Sequence, residues 1–445
     1  MQRRIEPGRC DEMGNVQDEV VNYPIHQRDL PNGLRVVVSP DHSVPVVAVN
    51  LWYDVGSRDE APGEFGWAHL FEHLMFSGSA NVASGEHLQL LQNLGGSVNA
   101  TTWFDRTNYF ETIPVGAIDL ALWMEADRLA SLADHLTDAS VDTQREVVTE
   151  EKRQRYDNVP YGEAMTQLVD LVFGAGHPYG HTTIGLPADL ASADAQAAAA
   201  FFREHYQPQR AVLTLVGDVS PKDGFRKALH AFGAIPGGAR RRRVAAAVLA
   251  PLTGLPQVTV DSPVPAAASY FAWRLPPRDT PEFDATDLAL AILGQGQTSR
   301  LHRVIVRDRR VAAAASAQAL GLIGGNSLGL LHLRAIPGTP LDEALALSTA
   351  ELEALATQGP TDTELARAKA QFRREWLTSL ARFDSRADLI SAYATLHDDP
   401  QRINHRLEEV SAITADQVRA ATATLLRPEQ RGQLDYRNEV SHATA

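Results

Sequence analysis

The chain reads as one structural plan written twice, and that repetition limits the folds open to it more than any other feature. Leu34 to Val38 and Val44 to Tyr53 are β-branched runs bounded by Pro31-Asn32-Gly33 and by Gly56, which predicts two strands. A helix rich in apolar residues follows, from Phe65 to Phe76. In the second half Gln257 to Val260 and Ser269 to Arg274 again predict strands, and a helix at about Asp284 to Gly294 falls in the same place. Helical patterns cover residues 86–94, 116–134, 141–156 and 162–173, and Ala211 to Asp218 returns as a strand. Thr361-Asp362-Thr363-Glu364 is a capping box opening a long helix that reaches Leu380. Ile235-Pro236-Gly237-Gly238-Ala239 and the arginines at 240–243 interrupt the chain. They predict domains at 1–235 and 247–445 joined by a linker at 236–246. Short strands mixed with amphipathic helices suit two α+β domains, each a largely antiparallel β-sheet covered by α-helices.

The two copies differ in chemistry. Where the second copy has Leu288, Ala289 and Leu290, the first has His69-Leu70-Phe71-Glu72-His73. Imidazoles four residues apart share one helix face and can converge on a zinc ion about 2.0–2.1 Å from each nitrogen. Glu72 stands beside them as a general base that is not itself a ligand. H-x-x-E-H reverses the commoner H-E-x-x-H and is the inverzincin signature. Three polar side chains among Phe65, Trp67, Leu70, Phe71, Leu74, Met75 and Phe76 are costly to bury unless they coordinate something.

A catalytic zinc usually has three protein ligands, and the helix expected over Ser140 to Arg153 offers the third. Ser140 would cap it, with Asp142 and Glu146 near its positive end. Helical phase chooses between its adjacent glutamates. Glu151 shares a stripe with Gln144, Val147 and Val148, whereas Glu150 shares a solvated face with Thr143, Glu146 and Arg153. The segment Gly95-Gly96-Ser97-Val98-Asn99-Ala100-Thr101-Thr102 predicts a glycine-led edge strand able to pair with an extended peptide.

On two of these stretches the chain resembles the pitrilysin/insulinase family of zinc peptidases, nearest the half-length processing-type members. The motifs that carry the likeness are His69 to Gly78, and Arg145-Glu146-Val147-Val148-Thr149-Glu150-Glu151-Lys152-Arg153 leading to Asp157-Asn158-Val159-Pro160-Tyr161-Gly162. The likeness extends through Leu30 to Val38 and His177-Pro178-Tyr179-Gly180 into the second half. It implies a zinc metalloendopeptidase with His69, His73 and Glu151 as zinc ligands, Glu72 as general base, and Asn99 and Ala100 as substrate contacts. It also implies an enclosed chamber built from two such halves, one supplying an Arg and, seven positions later, a Tyr. Here Gly294 to Leu301 matches the run before that pair and Arg307 takes the Arg position, but the Tyr position holds Ala314. A companion subunit carrying the Arg and Tyr, joined as a heterodimer, is therefore expected. A second departure is Gln144, where many relatives have an acidic residue seven positions before the third ligand. The alternative within the same fold is a non-catalytic structural or core subunit, whose members typically lose part of the zinc motif.

Composition sets the outer limits. A chain of 445 residues with 44% hydrophobic and 22% charged residues can bury two sizeable cores. A net charge of -14 argues against a nucleic-acid partner, whose phosphates require a basic face. The single cysteine, Cys10, excludes an internal disulfide and a multi-thiolate metal site. Met1-Gln2-Arg3-Arg4-Ile5-Glu6-Pro7 lacks the apolar core of a signal peptide, and no apolar run is long enough for a membrane span. The expected location is the cytoplasm, or the periplasm if a leader precedes this numbering. His177 and His181 flank Pro178-Tyr179-Gly180 and are read as loop histidines bonded to backbone rather than a second metal site.

Overall fold

The computed structural model describes residues 22–238 and 248–438. Cys10, the amino-terminal stretch, the arginines at 240–243 and most of the expected linker lie outside the described residues. The first sheet contains β1 (His26–Asp29), β2 (Arg35–Pro40), β3 (Val46–Tyr53), β4 (Ser97–Thr102), β5 (Thr107–Pro114) and β6 (Ala211–Gly217). The second contains β7 (Gln257–Ser262), β8 (Ala268–Leu275), β9 (Ala314–Leu320), β10 (Ser327–Arg334) and β11 (Gly432–Asn438). Their orders are β1-β2-β6-β3-β5-β4 and β7-β11-β8-β10-β9. With β1 set aside the two orders are the same, and each sheet has one parallel pair, β2 with β6 and β7 with β11. The remaining pairs are antiparallel, so the twofold plan and the α+β class read from the sequence are present in the structure.

Val36, Val37 and Val38 are all 0% exposed, as a strand must be when both faces of its sheet are covered. One face of the first sheet, with Val36, Val38, Val49, Leu51 and Tyr53, packs under helices from its own half, including Trp67–Leu74 and Ile118–His135. The other face, with Val37, Ala48, Trp52, Val212 and Val216, is covered by Ala387, Ile390 and Tyr393 of the helix Phe383–Leu396. That helix comes from the second half. The exchange is mutual: Leu168, Val169 and Val172 of the helix Ala164–Phe173 cover Ala272, Leu328, Leu330 and Leu434 of the second sheet. Strands are thus kept within each half while part of the helical cover is traded.

A polar seam also joins the halves. Asp105 accepts from Arg58 at 3.1 Å and from the Tyr179 hydroxyl at 2.6 Å, and that hydroxyl accepts from the Gly324 amide at 2.6 Å. A Cβ at residue 324 would lie 2.5 Å from the Tyr179 oxygen, so glycine is needed for the approach. No helix among the described residues is long and apolar enough to cross a membrane.

Candidate metal centre

The helix Trp67–Leu74 turns Trp67, Leu70, Phe71 and Leu74 into the core, which leaves His69, Glu72 and His73 on its partly open side. Phe71 stacks on Phe201 at 4.9 Å and its carbonyl accepts from the Tyr109 hydroxyl at 3.3 Å, fixing the rotation of the helix. Beside it runs the helix Asp138–Lys152, which starts one turn earlier than the sequence suggests. Thr137 is the N-cap, and Ser140, expected there, is its capping-box partner three residues on. The stripe facing inward is Val141, Gln144, Val148 and Glu151. Val147, expected on that stripe, is 44% exposed; Val141, seven residues before Val148, takes its place. Glu150 is exposed, where it accepts from Gln154 at 2.8 Å.

These two helices bring His69, His73 and Glu151 together. Glu151 Oε2 is 3.7 Å from His69 Nε2 and 3.5 Å from His73 Nε2, and the three donor atoms lie within 4.8 Å of one another. Such spacings are long for hydrogen bonds and near the ~3.4 Å edge of a tetrahedron whose corners lie about 2.0–2.1 Å from one central ion. Two imidazoles and a carboxylate are also the donor chemistry of a catalytic zinc site, so the residues fit that metal. Burial, reinforced by His73, lowers the His69 pKa to about 4 and keeps the ring in its neutral, ligating form. The neighbouring His73 ring holds Glu151 below the ordinary carboxylate value, ahead of the opposing effect of burial. Glu151 Oε1 accepts from Arg155 at 2.6 Å, which leaves Oε2 to face the histidines. Among the described residues no second cluster of this kind occurs.

Glu72 is adjacent. Burial raises its carboxyl above the ordinary value, against the Thr102 hydroxyl hydrogen bond and the charges of His73 and Arg106. Arg106 is held in turn by the Thr101 carbonyl at 2.7 Å and Asn108 Oδ1 at 3.0 Å.

Asn99 and Ala100 lie on β4, the outer strand of the first sheet. The Ala100 N–H donates to Asn99 Oδ1 at 2.9 Å, so the edge amide is capped by a side chain. Arg307 pairs with Asp308 at 2.9 Å, and Ala314 opens β9, the outer strand of the second sheet. His177 accepts from the Tyr179 amide, and His181 Nε2 bonds the Ser57 carbonyl at 2.8 Å and Glu60 at 2.9 Å. Sequence reasoning missed Glu60, Arg155, Thr102 and Arg106. Of these only Arg155, four residues after Glu151 on the same helical path, carried a periodic signal.

The chain matches a family model described as insulinase (peptidase family M16) over residues 35–181, and one described as the peptidase M16 inactive domain over residues 192–372. It is 28% identical over 398 residues to zinc protease PqqE of Helicobacter pylori, covering 88% of each chain. The crystal structure of a protease from Helicobacter pylori is similar with a TM-score of 0.87 at 25% identity, covering 94% of this chain and 100% of that one. The M16 inactive domain from Pseudomonas fluorescens shares the fold with a TM-score of 0.82 at 18% identity, over 93% of this chain and 98% of that one. The chain is therefore built of two peptidase M16 domains, the first of the insulinase type and the second of the inactive type, and is a homologue of M16 zinc proteases.

Proposed function

We propose that this chain is the zinc-bearing subunit of a metalloendopeptidase that cleaves extended peptides in an enclosed chamber. The observation that carries the reading is the convergence of His69, His73 and Glu151 beside a buried Glu72. In this reading those three side chains hold the ion. Bound zinc supplies Lewis acidity, polarising a carbonyl and lowering the pKa of water to about 7. Glu72 takes the proton of the attacking water on its carboxylate and delivers it to the departing amine. Its raised pKa suits both duties, because a proton taken up is held long enough to be passed on. Thr102 keeps the carboxylate directed, and Arg155 keeps Glu151 from swinging away.

The substrate lies along β4 as an added strand, contacting Asn99 and Ala100. For this to happen Asn99 Oδ1 releases the Ala100 N–H, which then bonds the peptide. Ala314 has no hydroxyl to donate to the developing oxyanion, and the absence of one such donor costs about 10²–10³ in rate. A companion chain of the same fold that carries the Arg and Tyr completes the chamber as a heterodimer.

The test is metal analysis joined to turnover of an internally quenched peptide. One zinc per chain is expected; Glu72→Gln keeps the zinc and loses turnover, while His69→Ala and His73→Ala lose the zinc. Zinc retained by the His69→Ala, His73→Ala double variant would overturn the metal assignment. Turnover undiminished in Glu72→Gln would overturn its role as base, and full activity of the lone chain, unchanged by a companion, would overturn the heterodimer. The non-catalytic alternative requires a protein that binds zinc poorly and cleaves nothing with any companion.

A further inference from the structure

We infer that Glu60, steadied by His181, is a positioning residue for the metal helix, setting the placement of His69 and His73 and with it the zinc affinity of the site. The inference rests on the metal assignment proposed above. Trp67–Leu74 is only eight residues long, a length at which an isolated helix is marginal, and its N-cap Gly66 provides no side-chain cap. Glu60 supplies the missing acceptors from outside. Its Oε2 accepts the Gly66 N–H at 2.8 Å and its Oε1 accepts the Ala68 N–H at 2.7 Å. The second bond fixes the residue directly before His69.

Glu60 is itself held. Its side chain is 0% exposed, and His181 Nε2–H is shared between Glu60 Oε2 at 2.9 Å and the Ser57 carbonyl at 2.8 Å. The His181 ring lies flat on Phe65 with centroids 3.9 Å apart. Behind it, Gly66 has φ 104°, and a Cβ on Gly185 would fall 2.1 Å from the Phe65 carbonyl oxygen. Three segments, around residues 57–60, 65–68 and 181–185, are therefore locked on the turn that leads into His69.

The condition of His69 gives this lock a chemical purpose. Metal-ligating histidines almost always donate their second ring nitrogen to an acceptor that fixes the ring. Here Nε2 faces Glu151, and Nδ1 is buried with no hydrogen-bond partner among the described residues. The ring has no hydrogen bond of its own to orient it, so its aim depends on where the backbone is anchored. Glu60 is that anchor.

The experiment measures zinc Kd by chelator competition on the full chain, with thermal unfolding of the metal-free form alongside. Glu60→Gln keeps the shape but can accept only one of the two N–H groups, and we expect zinc to bind about 10–100-fold more weakly. His181→Ala weakens binding in the same direction. His181→Gln restores it, because an amide N–H can still reach the carboxylate. A purely structural role would lower the unfolding temperature and leave Kd alone. A folded Glu60→Gln protein with Kd within twofold of wild type overturns the inference. If Glu60→Gln does not fold, an unchanged Kd in His181→Ala does the same. A wild-type chain that binds no zinc overturns the metal assignment together with the inference, whereas normal wild-type binding matched by the variants overturns the inference alone.

Discussion

Ile390 belongs to a helix of the second half, is 0% exposed, and packs among Val37, Ala48, Trp52, Val212 and Val216 of the first sheet. Ile390→Ala deletes three carbons, a loss of about 2.4 kcal/mol at about 0.8 kcal/mol for each. A partly collapsed cavity adds about 1 kcal/mol, for a total near 3–4 kcal/mol, inside the usual 2–5 for such a change. If the exchanged helix supports the first sheet, that loss appears at residues far away in sequence. Hydrogen exchange followed by mass spectrometry reads it directly: amides of β3 and β6 should exchange about 10²–10³ times faster when exchange reports equilibrium opening. Leu168→Ala on the reciprocal helix should instead speed exchange in β8 and β10. Acceleration confined to β8 and β10 in Ile390→Ala, with β3 and β6 unchanged, would refute the idea that each half is stabilised by the other's helix.

Two further outcomes are expected. Glu151→Gln should weaken zinc binding by at least about 100-fold, whereas Glu150→Gln, on the exposed face, should leave it within about twofold; a chelator titration giving the reverse order would sink the assignment. Burial alone would push the Glu364 carboxyl up, but the two hydrogen bonds from Arg300, both 2.8 Å, and those from Thr361 bring it down to about 2. A folded pKa below the unfolded value of 4.5 means stabilisation that is complete above pH 4.5 and disappears as pH falls through about 2. The stability advantage of wild type over Glu364→Gln in urea should shrink across that window, and an advantage independent of pH would count against the pairing.

Much of this was legible in the sequence because the signals are local. His69, Glu72 and His73 lie within one helical turn and a half, and the phase of the second helix selected Glu151 over Glu150 even though Val147 was misplaced. Spacings to Gln144 and Val148 carried the correct phase; the error at Val147 came from counting a residue on the edge of the stripe as inside it. The capping box at Thr361 and Glu364 was legible for the same reason. Glu60 was not. Its partners are backbone amides, which leave no mark on residue identity, and a histidine 121 positions away. The exchanged helices were also hidden, although the unbroken apolar run Val36-Val37-Val38 signalled that something must cover the second face.

The shared strand order has a consequence for how the molecule is made. In each sheet the strand that emerges last sits between two that emerge early: β6 lies between β2 and β3, and β11 between β7 and β8. From Tyr53 to Ala211 is 211 − 53 = 158 residues, and from Leu275 to Gly432 is 432 − 275 = 157. At about 5–20 residues per second a ribosome holds each gap open for roughly 8–30 s. During the first interval the histidine-bearing helix is already synthesised, yet the sheet beneath it lacks its middle strand. The nascent chain therefore exposes two unpaired strand edges, one on β2 and one on β3, until β6 is made, and such edges are ready templates for pairing with another chain.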